Sequence, residues 1–178
     1  AQDASTRGPL LIYTADINLA VHEVRERMAA VVEIAEGVGG FLQRQDDTVV
    51  VIRVPASRFR EALSQVDEVG DVLHRRVNAQ DVSEEFRDVR IRLRNALAMR
   101  DLMAELLDRA GNVAESLAIQ RELERLTQEI ELYRGRLNAL QDRIAFSTIT
   151  VRFQPIQVDS QVPRERFRLP FPFLNRLG

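Results

Sequence analysis

The chain contains no cysteine, no lysine, no tryptophan and no long apolar run. Without cysteine there is no disulfide framework, no thiolate zinc site and no thiol nucleophile. Without an apolar run of about eighteen residues, nothing in the sequence spans a membrane as a helix. A cysteine-free chain fits an exported protein that avoids stray disulfides. All 25 basic residues are arginine. Arginine clustered on one face would suit phosphate binding, but here it alternates with Asp and Glu, and the codon bias of a GC-rich genome accounts for it. Formal net charge is only −2, so no global basic field recruits nucleic acid. The first residues, AQDASTRGP, lack the charged and apolar regions of a signal peptide. The expectation is that such a peptide has been removed or never existed.

What is present is strongly patterned. With 178 residues, 45% of them apolar, the chain can build one domain of ordinary size, or a small domain with an extension. Residues 1–9 are mostly small and polar and read as a flexible leader. From Leu10 the sequence LLIYTADINLA alternates, with Leu11, Tyr13, Ala15, Ile17 and Leu19 on one face, as in a half-buried strand. Val21, Val24, Met28 and Ala35 then recur at helical spacing, and Gly37, Gly39 and Gly40 supply the stop. FLQRQ and TVVVIRV flank Asp46-Asp47 and predict two strands joined by a tight turn. Pro55 opens a short helix with Phe59, Leu63 and Val66 on one face, and DVLHRRVNAQDV is a further strand. The order strand, helix, strand, strand, helix, strand is the split β-α-β arrangement of the ferredoxin-like superfold, in which two helices cover one face of a sheet. That superfold hosts many unrelated functions, so it licenses none by itself.

From Ser83 the pattern changes. Ser83 offers a cap oxygen, and Glu84 and Glu85 complement the helix dipole. Phe86, Val89, Leu93, Ala96, Met103 and Leu107 follow three- and four-residue steps, with Arg100 interrupting the seam. That arginine either snorkels or pairs with an acid across the hairpin. A break follows at Ala110, Gly111, Asn112 and Val113, where Asn112 with Glu115 forms a capping-box pattern. Ile119, Leu123, Leu126, Ile130, Tyr133, Leu137, Leu140 and Ile144 then step by alternating fours and threes without exception. This is a coiled-coil seam, and two seams joined by so short a break predict an antiparallel hairpin over residues 83–146. Its flanks mix 12 acids with 11 arginines, which predicts i,i+4 pairing of Glu105 with Arg109 and i,i+3 pairing of Glu122 with Arg125 and Glu131 with Arg134. Immediately afterwards FSTITVRF alternates like a strand, with Ile149 and Val151 on one side. A lone strand is unstable in water, so residues 147–154 are expected to join the sheet of residues 10–82. The hairpin is then an excursion from that sheet, and about five strands in all are expected.

Residues 155–178 carry prolines that exclude a long helix. Arg166, Phe167, Arg168, Phe171 and Phe173 interleave basic and aromatic side chains and suit a membrane surface.

Chemistry is hard to find. His22 and His74 stand far apart in sequence, and Asp71, three residues before His74, should point to the opposite face of a strand. Asp46-Asp47 reads as a solvated turn, and Ser147-Thr148 has no nucleophile-elbow glycines. The glycines after the first helix stand in the wrong place to cradle phosphate. The expectation is a protein without catalytic residues, metal or cofactor, and not an enzyme.

One resemblance is specific. The stretch Asp88 to Asn95 (D-V-x-x-R-L-x-N), the R-E-L at Arg121 to Leu123, Ile130 to Leu137 (I-x-x-x-x-G-R-L) and Leu140 to Val151 (L-x-D-R-I-A-F-S-T-I-T-V) are similar to the bacterial "domain of unknown function 4349" family. The similarity extends from about residue 10 to 154. It implies an extracytoplasmic protein tethered to the membrane by a lipidated N-terminal cysteine, a C-terminal transmembrane helix, or both. This sequence has neither, so either the anchor lies outside it or this member is soluble. The expected function is a non-enzymatic scaffold or protein-interaction module of the bacterial cell envelope that presents its hairpin to a protein partner, with the tip Ala110–Val113 as the contact. Self-association into an oligomeric envelope component and membrane binding through the basic aromatic tail are the alternatives. Nucleic acid is not an expected partner.

Overall fold

A computed structural model describes residues 8–156. Within them, alternation and helical spacing resolve into a mixed α+β fold with one five-stranded sheet and four α-helices. In chain order these are β1 (Leu11–Val21), α1 (Val24–Gly37), β2 (Phe41–Gln45), β3 (Val49–Pro55), α2 (Phe59–Asp67), β4 (Asp71–Asp81), α3 (Ser83–Asp108), α4 (Val113–Ala145) and β5 (Phe146–Pro155). A 3-10 turn, Ala56–Arg58, precedes α2.

The sheet order is β2-β3-β5-β1-β4. β5 runs parallel to β1 and antiparallel to β3, and the β2–β3 and β1–β4 pairs are antiparallel. The last of the described strands is therefore the middle strand of the sheet. Alternation explains its fit: Ser147, Ile149, Val151 and Phe153 are buried on one face, while Thr148, Thr150 and Arg152 line the other.

Helices α1 and α2 cover that first face. Ile17, Leu19, Val50, Ile52 and Ile149 from the strands meet Val31, Ala35, Ala62 and Val66 from the helices, all of them essentially inaccessible to water. Tyr13 stacks on Phe59 with ring centroids 5.3 Å apart. The return from α1 to β2 needs glycine twice. Gly39 takes φ 80°, a left-handed conformation unfavourable to side chains. At Gly40 a Cβ would collide with the Arg53 carbonyl of β3.

Two register irregularities alter the sequence reading. Gln43 is an extra residue between Leu42, opposite Ile52, and Arg44, opposite Val51. On β4, Asp71 lies opposite Ala20 and His74 opposite Asn18. Ala20 and Asn18 are two positions apart on β1, so Asp71 and His74 share a face instead of lying on opposite ones. The bulge next to Leu19 inserts the extra residue responsible.

The third and fourth helices leave and re-enter at one end of the sheet. β4 ends at Asp81 opposite Leu11, and β5 begins just before Thr148, which lies opposite Thr14. These two strands flank β1, two strand spacings apart, or about 10 Å. Packed helices sit about 8–10 Å apart, so both arms can continue from their strands without being splayed or squeezed. The arms run antiparallel, because Glu85 near the start of α3 bonds Arg136 near the end of α4 at 2.7 Å. At about 1.5 Å per residue, α3 is about 39 Å long and α4 about 50 Å.

Candidate functional site

The paired arms are the feature that sets this fold apart, and their root is built first. Beneath them lies a second hydrophobic cluster, separate from the main core, of Ile12, Val82, Val89 and Leu140 with Phe86, Tyr133, Leu137 and Ile144 packed against it. Ile12 points away from its β1 neighbours Ala15 and Ile17, so one strand serves both cores. Polar contacts lock the joint. Arg53 of β3 is buried, and its Nη2 donates to Asp142 Oδ2 at 2.7 Å, to the Asp142 carbonyl at 3.1 Å and to the Phe146 carbonyl at 3.2 Å. One guanidinium thus ties β3 to the last turn of α4 and the start of β5.

Ser83 does not cap α3 as its position suggests. Its hydroxyl accepts the Leu10 N–H at 2.8 Å, while its own N–H donates to Asp81 Oδ1 at 2.9 Å. The chain entering β1 is thereby fastened to the start of the arm. Bonding to Ser83 holds the Asp81 carboxyl below the usual carboxylate range.

Along the arms, every seam residue named from the sequence is buried or half-buried. Val89, Ala96, Leu126, Ile130 and Leu140 are buried, while Phe86, Leu93, Met103, Leu107, Ile119, Leu123, Tyr133, Leu137 and Ile144 are half-buried. Full burial reaches Ala96, Leu126 and Ile130 midway along the arms, where the two helices shelter each other, whereas Met103, Leu107, Ile119 and Leu123 nearer the tip are half-buried. Arg100 bonds its own neighbour Asp101 at 2.7 Å, not an acid of α4.

The outer faces carry ion pairs. Glu122 and Arg125 pair at 2.6 Å, Arg125 and Glu129 at 3.1 Å, and Glu131 and Arg134 at 2.9 Å. The bond to Arg125 holds the Glu122 carboxyl down, and Arg125 is raised in return. No bridge joins Glu105 to Arg109, although both are described.

At the tip, Asn112 Oδ1 accepts the Glu115 N–H at 2.9 Å, and Glu115 Oε2 accepts the Gly111 N–H at 3.2 Å. The loop therefore closes as a variant of the capping box, in which the return bond goes to the residue before the cap. Val113, next to it, is 84% exposed, and Leu117 one turn on is 46% exposed. Ala110 is half-buried.

The remaining sequence candidates stay apart. His22 lines a shallow cleft with Glu23, Glu26, Arg27 and Asp71, and His74 is exposed on β4. Asp46 pairs with Arg44 in the β2–β3 turn, and the Ser147 hydroxyl is buried without a hydrogen-bond partner. Among the described residues no three His, Asp or Glu side chains are grouped as a metal would require, and no helix is long and apolar enough to cross a membrane. Arg166, Phe167, Arg168, Phe171 and Phe173 lie outside the described residues. Sequence reasoning missed Arg53. Its one signal is a charged residue inside the apolar run VVVIRV.

Comparison with known proteins gives one match. The sequence model of a family described as "Domain of unknown function (DUF4349)" covers residues 9–175. No curated protein and no solved structure matches the chain.

Proposed function

The chain belongs to the DUF4349 family, and from its geometry we propose that it is a non-enzymatic scaffold of the bacterial cell envelope that presents a coiled-coil hairpin to a protein partner. The extracytoplasmic setting comes from the family resemblance described above. The sheet is read as a ferredoxin-like arrangement opened to admit one more strand. Leaving out β5, the order is β2-β3-β1-β4 with every neighbour antiparallel. The unbroken seam of α4, the rigid root and the side-chain cap at the tip support the coiled-coil reading of the arms.

One observation carries the proposal. The far end of a long, firmly rooted arm exposes the apolar side chains of Val113 and Leu117, where solvent alone would favour polar ones. A photocrosslinking residue placed at Val113 in the native host should yield adducts with one defined envelope protein. Val113→Asp with Leu117→Asp should abolish that protein's recovery while leaving the fold unchanged. Equal crosslinking from the outer face of α2, or recovery untouched by the double substitution, would contradict this reading.

A further inference from the structure

The outer side of α3 carries a second seam. Ile91, Asn95, Ala98 and Leu102 step by four, three and four, on the side of the helix away from Val89 and Ala96. All four are exposed, Ile91 at 40% and Leu102 at 48%, and nothing else in the described chain covers them. A seam with this spacing and a single polar residue is the pattern of a helix that pairs with another helix. The polar position weakens the contact but fixes its register.

We propose that the occupant is a second copy of the same chain, with the two α3 helices antiparallel across a two-fold axis. The charges select this arrangement. When Ile91 faces the partner's Leu102 and Asn95 faces the partner's Ala98, the flanking positions set Arg94 opposite the partner's Asp101 and Arg87 opposite the partner's Asp108. Symmetry doubles both pairs. All four of these side chains are exposed, and neither Arg87 nor Arg94 has an acidic partner among the described residues. Arg100 occupies only Oδ1 of Asp101, which leaves Oδ2 for a second cation. A parallel pairing in the same seam would instead bring Arg87 against the partner's Arg92, like charge against like.

The length of the arm fits the same register, which sets Ala110 at the tip level with the partner's Ser83 at the root. Neither arm overhangs the other. Beyond the four seam residues the same register sets Asp88 against the partner's Glu105, like charge against like, so the contact ends there and association is weak and concentration-dependent.

This inference rests on the hairpin being an interaction arm, but its test is separate from that of the tip. Sedimentation of the full chain across a concentration series should show a monomer–dimer equilibrium. Leu102→Glu should abolish the dimer. Arg94→Asp and Asp101→Arg should each weaken it about tenfold or more by placing like charges opposite each other. The double variant Arg94→Asp/Asp101→Arg should restore it. Each substitution lies on an exposed helix face, and unchanged circular dichroism checks that the fold is retained. A chain that stays monomeric at every concentration overturns the proposal, as does a dimer indifferent to Leu102→Glu or a double variant that fails to recover. A monomer that still crosslinks at Val113 sinks this inference alone. A dimer without tip crosslinks sinks only the partner-presenting role.

Discussion

Arg53 shows what a single side chain contributes to the joint. Its side chain is 10% exposed while that of its partner Asp142 is 57% exposed, so the arginine carries the desolvation penalty and the acid keeps much of its water. Three acceptors satisfy Nη2, but the buried Nε has none. Lysine at this position would keep the charge buried with a compact head that cannot reproduce the reach of the guanidinium fork. Arg53→Lys should therefore destabilise the protein by about 1–3 kcal/mol. Arg53→Met should cost less, because it removes the charge together with its bonds. Chemical denaturation of both variants checks the ranking, and a methionine variant less stable than the lysine one would refute it. Ser147 is the opposite case. Its hydroxyl is buried and unpaired, so Ser147→Ala should leave stability unchanged or raise it by about 1 kcal/mol. Neither environment can be read from the sequence. An arginine in VVVIRV looks the same whether it faces solvent or the end of a helix, and burial of Ser147 follows from neighbours far away in the chain.

At the scale of elements, local chemistry was legible wherever it is self-contained. Asn112 and Glu115 close their cap within five residues, and the uninterrupted seam of α4 names its own buried side. Asn112→Ala should cost about 1 kcal/mol of local helix stability. It should appear as faster amide exchange at the start of α4 with exchange in the sheet unchanged. Elements joined through space were less legible. Ser83 has the sequence of a helix cap, yet its hydroxyl serves Leu10, because the chain entering β1 passes over the start of the arm. Asp71 and His74 share a face only because of a bulge, which no glycine announces. The Asp81–Ser83 contact gives a pH prediction. A carboxyl held below its ordinary value in the folded state adds stability that is complete above the unfolded value, and that is lost as pH falls through the folded one. The melting temperatures of the wild type and Asp81→Asn should thus differ near neutral pH and converge from about pH 4 downward. A constant difference across that range would remove Asp81 from the joint.

At the scale of the whole molecule, two cores of the described residues meet at β1. The main core draws on β1, β3, β5, α1 and α2 and contains no residue of α3 or α4, whereas the second consists of the hairpin base, Val82 and the start of β1. Helical and strand periodicity showed that an arm leaves a sheet and returns. That its returning strand takes the middle of that sheet, between β1 and β3, was beyond reach, because period-two alternation records which side is buried and not which neighbours lie alongside. The central position makes the sheet depend on residues that follow the hairpin, but not on the hairpin. Asp81 and Phe146 end up about two strand spacings apart, or about 10 Å, a gap that a few glycine and serine residues can span. Replacing residues 83–145 with such a linker should leave a folded sheet with α1 and α2 in place. It would sacrifice the Arg53–Asp142 contact and expose Ile12 and Val82, so some stability is lost while cooperative unfolding survives. Circular dichroism should report a fall in helix content with strand content kept, and thermal melting should remain a single transition at lower temperature. If the shortened chain is unfolded, the arms are required for β5 to find its place, and the hairpin is part of the folding core instead of an extension built on it.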